Sequence, residues 1–322
     1  MRLPLSLLLL ALPLAARGLD AAQPLVAHFV EDRVLVDAPL AAGGHLRFFT
    51  DSGGGNATRL LQGATERLKL PTRAPSQAEL DELGRVPPDT RLLVGPLPLA
   101  PSAFPPPPEL ALVVTNLIGL KDEPADSDGM LGNTWFAGHV WTWNYVAGTL
   151  ALEPADWSPP TGAQVVPIGL RPADGDGPAL AFARIEVTIA GTPTSMLLDT
   201  GATTILTPEA AQRLGGPRVR STSMIVASVI AAWRQAHPEW RVIEHAQAGT
   251  DSRMIEVPDV RIAGFQVGPV WFTERPDYNF KSLMSRMTDQ PILGAIGGNA
   301  FHTLTMTIDY PHARAAFARG KR

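Results

Sequence analysis

The chain has 322 residues, of which 45% are hydrophobic, and a formal net charge of −4. This length and composition exclude a disordered or fibrous chain and favour two domains over one. The charge argues against a nucleic-acid partner, which needs a concentrated basic surface, and the absence of cysteine excludes disulfides, thiolate metal sites and a cysteine nucleophile.

The N-terminus has the order of a secretory signal peptide. Arg2 precedes an apolar run from Leu5 to Leu14, and small residues follow at Ala15 and Ala16. The run is too short to span a bilayer comfortably, so a retained anchor is the weaker alternative. We predict that residues 1–22 are a cleaved signal peptide and that the protein is periplasmic or secreted, with no membrane span after cleavage.

A proline-rich segment between Pro71 and Pro108 interrupts the first half of the chain. Proline fixes φ and removes a ladder donor, so this segment cannot be central sheet. We predict a surface excursion, with polyproline II as one conformation open to it.

An aromatic cluster follows this segment. Its members are Trp135, Phe136, Trp141 and Trp143. A carbohydrate platform is one interpretation, but core packing is favoured because large aromatic side chains are usually buried.

The second half of the chain contains the clearest strand signals. Residues Ala183 to Ile189 are rich in β-branched side chains and lead through a turn to Met196-Leu197-Leu198, which predicts a hairpin. Further strands are predicted within Val260 to Phe272 and from Leu304 to Tyr310.

Two helices are also predicted in this half. The first runs from Pro208 to Leu214, with Thr207 as its N-cap. The second runs from Ser223 to Trp240, where apolar residues recur at four-residue spacing.

An internal repeat relates the two halves of the chain. An Ala-Gly pair begins nine residues before Asp51 and nine residues before Asp199. Downstream, an apolar-apolar-Gly segment leads to a phenylalanine and, nine residues later, to a tyrosine. These elements are Met130-Leu131-Gly132, Phe136 and Tyr145 in one copy, and Ile292-Leu293-Gly294, Phe301 and Tyr310 in the other. The repeat predicts an N-terminal lobe over residues 23–157, a linker over 158–162 and a C-terminal lobe over 163–322.

The two aspartates suggest hydrolysis by a pair of carboxyl groups. Such chemistry needs two carboxyl groups around one water molecule, one ionised as general base and the other protonated. Two facing copies of one loop supply that geometry. In Asp199-Thr200-Gly201 the hydroxyl can brace the opposing loop, and the glycine allows a close backbone approach.

The sequence Leu197-Leu198-Asp199-Thr200-Gly201-Ala202-Thr203, followed by Ile292-Leu293-Gly294 and Thr307-Ile308-Asp309-Tyr310, resembles the aspartic protease superfamily, both pepsin-like and retropepsin-like. The resemblance covers most of the second lobe closely and the first lobe more loosely. It implies an all-β, bilobal fold with a few short helices, an active site between the lobes, and a downstream apolar-apolar-Gly segment packed behind the catalytic loop.

The resemblance also implies roles for particular residues. Asp51 and Asp199 match the catalytic aspartates of an endopeptidase that acts on peptides or proteins. The supporting loop positions are filled by Ser52, Gly53, Thr200 and Gly201. No cofactor or metal is implied, and the histidines show no paired metal-binding spacing. A monomer is expected.

Two departures from the family pattern leave alternatives open. Gly54 stands where the family usually has Ser, Thr or Ala, and none of the three tyrosines falls in the first-lobe flap region. Gly249 is the candidate tip of a second-lobe flap. The alternatives to a working endopeptidase are a weak or inactive peptide-binding module and a retropepsin-like homodimer that uses only Asp199.

Overall fold

The computed structural model describes residues 21–55, 57–83, 86, 89–102, 104–108, 110–117, 126–172 and 180–320. Most of the predicted signal peptide, residues 1–20, lies outside these ranges. No helix in the part of the chain described is long and apolar enough to cross a membrane.

Strands dominate the architecture. In the first half they are β1 (Gln23–Leu25), β2 (Ala27–Val30), β3 (Arg33–Pro39), β4 (His45–Thr50), β5 (Thr58–Leu61), β6 (Thr72–Arg73), β7 (Arg91–Leu93), β8 (Ala111–Val114), β9 (Gly129–Leu131), β10 (Val140–Asn144) and β11 (Thr149–Glu153). In the second half they are β12 (Gln164–Pro167), β13 (Gly169–Arg171), β14 (Leu180–Ile189), β15 (Thr192–Leu198), β16 (Thr203–Ile205), β17 (Val219–Ser221), β18 (Ser223–Val226), β19 (Val242–Ile243), β20 (Met254–Val257), β21 (Val260–Ile262), β22 (Phe265–Gln266), β23 (Val270–Arg275), β24 (Gly294–Ile296), β25 (Leu304–Asp309) and β26 (Arg314–Arg319).

The helices are short. The α-helices are α1 (Gln62–Arg67), α2 (Gln77–Leu83), α3 (Asn133–Phe136), α4 (Pro208–Leu214) and α5 (Ala227–Ala236), with a π-helical turn at Tyr278–Leu283 and 3-10 turns at Met284–Arg286 and Gly298–Ala300. The predicted all-β class with a few short helices is therefore confirmed.

Two large sheets come from separate halves of the chain. One has eight strands in the order β2-β3-β4-β9-β5-β8-β7-β6, and the other has ten, β19-β20-β23-β18-β24-β15-β14-β21-β22 with β13 beside β14. We call these sheets, with their helices, the first lobe (residues 27–131) and the second lobe (residues 169–296). A small sheet of β16 and β17 belongs to the second lobe.

A third sheet joins the lobes. Its order is β1-β11-β10-β25-β26-β12, so three strands from the first half of the chain lie beside three strands from the second half. At its centre β10 pairs antiparallel with β25, and Thr142 lies opposite Thr307 with their hydroxyl oxygens 2.8 Å apart. These two threonines occupy equivalent positions in the repeat, so the pseudo-twofold axis passes between them.

The aromatic cluster is part of the hydrophobic core, as predicted. Phe136, Trp141 and Trp143 are each 0% exposed, and Trp135 stacks at 4.4 Å between ring centroids on Trp141. Burial of these side chains provides a large part of the apolar area that holds the shared sheet to the first lobe.

The prediction for Pro71 to Pro108 was partly wrong. The segment contributes β6 and β7, which pair with each other at the edge of the first-lobe sheet, and Leu92 is buried there. The prolines themselves lie outside these two strands. An edge position tolerates neighbouring proline because one side of the ladder needs no partner.

One predicted helix was right, and the other, predicted from Ser223 to Trp240, was wrong at both ends because it spans only Ala227–Ala236. Helix α4 spans Pro208–Leu214, and the Thr207 hydroxyl accepts a hydrogen bond from the Ala210 amide at 3.3 Å. In contrast, Ser223 to Val226 form the central strand β18 between β23 and β24, and the helix starts only at Ala227. Pairing on both edges of β18 overrides the helical spacing of its apolar residues.

Candidate active site

Each of the two aspartates follows a central strand directly. Strand β4 ends at Thr50 and runs parallel to β9, and strand β15 ends at Leu198 and runs parallel to β24. The Asp51 amide donates to the carbonyl oxygen of Leu131 at 2.9 Å, and the Asp199 amide donates to that of Ile296 at 3.0 Å. The neighbouring strand thus fixes the start of each loop in the same way.

The pairing of β24 corrects the second half of the repeat. The segment packed behind Asp199 is Ala295-Ile296-Gly297, not the predicted Ile292-Leu293-Gly294. A Cβ on Gly297 would lie 2.0 Å from the carbonyl oxygen of Thr222, and one on Gly132 would lie 2.0 Å from that of Gly55, so both positions require glycine. The signal was in the sequence, since each of these glycines precedes its phenylalanine by four residues.

The two loops are hydrogen-bonded to each other through Ser52 and Thr200. The Ser52 hydroxyl donates to the Leu198 carbonyl oxygen at 3.1 Å and accepts from the Thr200 amide at 2.9 Å. The Thr200 hydroxyl oxygen accepts from the Ser52 amide at 3.3 Å and lies 3.3 Å from the Ser52 hydroxyl oxygen. Both side chains are fully buried, so these bonds are shielded from competing water.

The glycine that follows in each loop packs on the carboxyl group of the other loop. A Cβ on Gly53 would lie 2.5 Å from Cγ of Asp199, and a Cβ on Gly201 would lie 2.3 Å from Cγ of Asp51. Both distances are far below van der Waals contact. The reciprocal approach of the loops therefore depends on glycine at both positions.

The carboxyl groups of Asp51 and Asp199 lie together where the two loops meet, because each packs on the glycine of the opposite loop, and each influences the pKa of the other. Burial, and then the negative charge of Asp199, raise the pKa of Asp51 well above its usual range. Burial also raises the pKa of Asp199. Two carboxylates so close cannot both ionise easily, so the pair holds one proton over a wide pH range.

The two carboxyl groups differ in the backbone donors around them. The Gly201 amide donates to Asp199 at 3.0 Å, and the amides of Gly53 and Ala202 also act to lower the Asp199 pKa. For Asp51 the corresponding backbone donor is the Gly53 amide at 3.1 Å. More donors stabilise an anion better, so the negative charge is favoured on Asp199.

The Gly54 departure noted in the sequence has a steric reason. A Cβ on Gly54 would lie 2.8 Å from Cγ of Asp51, whereas the equivalent Ala202 is accommodated and buried. The first loop therefore approaches its own aspartate more closely than the second loop does.

A cleft of about 610 Å³ opens above the two carboxyl groups. Both lobes line it, with Phe49, Asp51, Gly54, Gly55, Arg59, Leu117 and Met130 from the first and Asp199, Gly201, Ala202, Thr203, Ile205, Met224, Gln247, Ala248, Gly249 and Thr250 from the second. Gly249, the candidate flap tip, belongs to the hairpin between β19 and β20 and has φ of +72°. The structure thus places it at the cleft.

Sequence reasoning missed two polar residues of the cleft, Arg59 and Gln247. Arg59 lies in β5 and faces the cleft, and Gln247 lies beside Gly249. For Arg59 a signal was available in the sequence, because it lies in the short strand that follows the Asp51 loop. For Gln247 the sequence offered none, since the hairpin fold brings it there.

Within the described ranges, no group of three or more His, Cys, Asp or Glu side chains is arranged to hold a metal ion.

Comparison with known proteins finds one family similar in sequence to part of the second lobe and solved structures similar in fold. Residues 185–242, which include Asp199-Thr200-Gly201, match a family model described as aspartyl protease. No curated protein matches the chain. Similar solved structures include the crystal structure of aspartic proteinase from Irpex lacteus, at 12% identity and a TM-score of 0.48, over 94% of this chain and 98% of that one. The predicted resemblance to the aspartic protease superfamily is confirmed.

Proposed function

We propose that this chain, whose second lobe carries the aspartyl protease segment, is an aspartic endopeptidase that uses Asp51 and Asp199 as its catalytic pair. One observation carries the proposal: an aspartate carboxyl group from each lobe lies at the floor of an open cleft, and each packs on the glycine of the opposite loop. Such a pair combines a general base and a general acid within reach of one water molecule.

In the proposed reaction, the ionised Asp199 accepts a proton from water as the water oxygen attacks the carbonyl carbon of the peptide bond. Asp51 donates its proton to the carbonyl oxygen, which yields a tetrahedral diol. When the C–N bond breaks, Asp199 gives its proton to the departing nitrogen and Asp51 recovers one from a diol hydroxyl. Both carboxyl groups return to their starting states.

The assignment of the proton to Asp51 follows from its surroundings. Fewer backbone amides stabilise its anion than stabilise that of Asp199. The pair nevertheless titrates as a unit, so the rate is expected to fall on both sides of an optimum, as pH drops through the first step and rises through the second.

The homodimer alternative is disfavoured by the pairing within one chain. Asp51 already supplies the second carboxyl group beside Asp199, and the Ser52 and Thr200 hydrogen bonds join the two loops of the same molecule. We therefore propose a monomeric enzyme. Export to the periplasm or medium is also proposed, on the basis of residues 1–22.

Cleavage of a defined peptide library by purified protein, followed by mass spectrometry at several pH values, tests the function. We expect Asp51→Asn and Asp199→Asn each to reduce cleavage by about 1000-fold or more. Asp259→Asn is the matched control, because its carboxylate only pairs with Arg261 at the surface, and it should cleave like the wild type.

Each alternative has its own outcome. Saturable peptide binding without cleavage by the wild type would indicate a binding module. Full activity of Asp51→Asn in a dimeric species would indicate a homodimer built on Asp199. Unchanged activity of Asp199→Asn would contradict the proposal outright.

A further inference from the structure

Arg59 is a basic side chain in the wall of the cleft, close to Asp51. It is the second residue of β5, and its Nη2 would lie 3.5 Å from a Cβ placed on Gly55. Among the described residues, none forms a hydrogen bond or an ion pair with it. Its charge lowers the pKa of Asp51 from a distance, without an ion-pair contact to that carboxyl group. An arginine half-buried in a cleft without a carboxylate partner is available to a ligand.

A second guanidinium group lies behind the opposite wall. Arg275 donates to Oε1 of Gln247 at 2.6 Å and to the carbonyl oxygen of Glu274 at 2.9 Å. Burial lowers its pKa to about 10, so it stays charged at neutral and acidic pH. The Glu274 carboxylate pairs with Arg253 instead, and no described carboxylate forms an ion pair with Arg275.

The balance of charge in the cleft and directly behind its wall is therefore positive. Asp51 and Asp199 are the acidic residues among those that line it, and together they hold one negative charge when they share a proton. Arg59 and Arg275 contribute two positive charges. This local excess occurs in a chain of net charge −4, and a positive cleft with low-dielectric walls attracts anionic ligands.

The positive charge on the cleft surface is confined to one side of the aspartate pair. Arg59 pairs with Met130 across β5 and β9, and Met224 pairs with Ala295 across β18 and β24, so Arg59 and Met224 occupy equivalent positions in the two lobes. Both line the cleft. Because the pseudo-twofold axis passes between the aspartates, a peptide bound there meets these residues on opposite sides of its scissile bond.

We propose that Arg59 selects substrates that carry a carboxylate side chain on the first-lobe side of the scissile bond, while Met224 favours an apolar residue on the other side. This inference rests on the proposed peptidase function. The guanidinium of Arg59 pairs with the substrate carboxylate, and Arg275 adds a favourable potential from behind Gln247.

The test uses peptide pairs that differ only by Glu or Gln at each position around the cleavage site. At about pH 5.5 the glutamate side chain is ionised, since its ordinary pKa is about 4.3. The wild type is expected to prefer Glu to Gln about tenfold in kcat/KM on one side of the bond only. Arg59→Met, which installs the residue found in the second lobe, should remove this preference, and Arg59→Lys should retain part of it.

The most specific part of the test is a substitution at the equivalent position of the second lobe. Met224→Arg should add a preference for Glu on the other side of the scissile bond. A wild type that cleaves Glu and Gln peptides equally, or an Arg59→Met variant that keeps the preference, would overturn the inference while the peptidase function stands.

If the wild type cleaves no peptide, the peptidase function fails and binding decides the inference. Calorimetry with the same Glu and Gln peptides should then show tighter binding of one Glu peptide, and Arg59→Met should abolish the difference. Equal binding of both peptides by the wild type would overturn the inference as well.

Discussion

Thr58 opens the strand that follows Asp51 after only seven residues, whereas Ser223 opens the equivalent strand twenty-four residues after Asp199. The longer connection in the second lobe contains β16, α4 and β17, and Thr203 and Ile205 from it reach the cleft. In the first lobe the short connection brings Gly54 and Gly55 against Asp51 and against the Gly132 turn. The two aspartate loops therefore have the same local sequence pattern but are followed by different connections and pack against different neighbours.

The different neighbours of the two loops give the two aspartates different electrostatic surroundings. Asp199 is held by several backbone amides, whereas Asp51 has fewer backbone donors. The comparison indicates that duplication provides the symmetric geometry, while small differences at residues such as Gly54 and Ala202 distinguish the surroundings of the proposed acid from those of the proposed base.

Among changes that leave both aspartates in place, the largest effect is expected from a single methyl group between the loops. Gly201→Ala would place a Cβ 2.3 Å from Asp51 Cγ, and Gly53→Ala would place one 2.5 Å from Asp199 Cγ. Each should force the loops apart and lower kcat/KM by about 100-fold or more, because misplacement by about 1 Å has effects of that size.

The control for these variants is Gly63→Ala, where a Cβ would meet nothing within 4 Å. It should keep full activity. If Gly201→Ala is as active as this control, the reciprocal packing of glycine on carboxyl does not matter for function.

A smaller effect, on stability, is expected from the bracing hydroxyls. Ser52→Ala removes a group that bonds to the Leu198 carbonyl and to the Thr200 amide, and it leaves both buried without that partner. We expect a loss of about 2 to 3 kcal/mol in the free energy of unfolding, measured in urea. Thr200→Val should cost less, about 1 to 2 kcal/mol, because the two bonds of its hydroxyl, from the Ser52 amide and to the Ser52 hydroxyl, are both long at 3.3 Å. A larger loss for Thr200→Val would reverse the comparison.

The smallest effect concerns the pH dependence of stability. Folding raises the pKa of Asp51, so the protonated carboxyl group is the form that favours the folded state. Its contribution to the free energy of unfolding is fully present below the unfolded-state pKa and is lost as pH rises through the folded-state pKa. Asp51→Asn removes this loss of stability, because asparagine does not ionise. Relative to the wild type it should gain about 1 kcal/mol or more between about pH 4 and 7, since one pKa unit corresponds to about 1.4 kcal/mol.

Asp199→Asn should gain less than Asp51→Asn, because the backbone amides already stabilise the Asp199 anion. Urea denaturation at a series of pH values measures both. Parallel stability curves for Asp51→Asn and the wild type would refute the raised pKa of Asp51.

The sequence was most informative where a residue's role depends on nearby residues. The repeat spacing predicted which positions correspond, and Thr207 was recognised as a cap because capping is local. The aromatic cluster was recognised as core for a similar reason. The loop around Asp199 could be identified because its apolar strand, aspartate and glycine are contiguous.

Long-range pairing explains what the sequence left undecided. Two Gly-ending triplets lie three residues apart, at Gly294 and Gly297. The four-residue spacing to Phe301 favours Gly297, and the pairing of β15 with β24 establishes it. Ser223 to Val226 have a helical spacing but become a strand because two neighbours pair with them. Arg275 and Gln247 come together only through the tertiary fold, so no local sequence pattern predicts the hydrogen bond between them.

The most direct test of the account is a titration of the Asp51 and Asp199 carboxyl carbons by NMR, with each Asn variant used for assignment. The account predicts two coupled steps, with one pKa well above the ordinary value of about 3.9, and a fall in the Asp51 pKa when Asp199→Asn removes the neighbouring charge. Independent titration of both groups near about 3.9, unaffected by substitution of the partner, would contradict the claim that the two loops form one proton-sharing site.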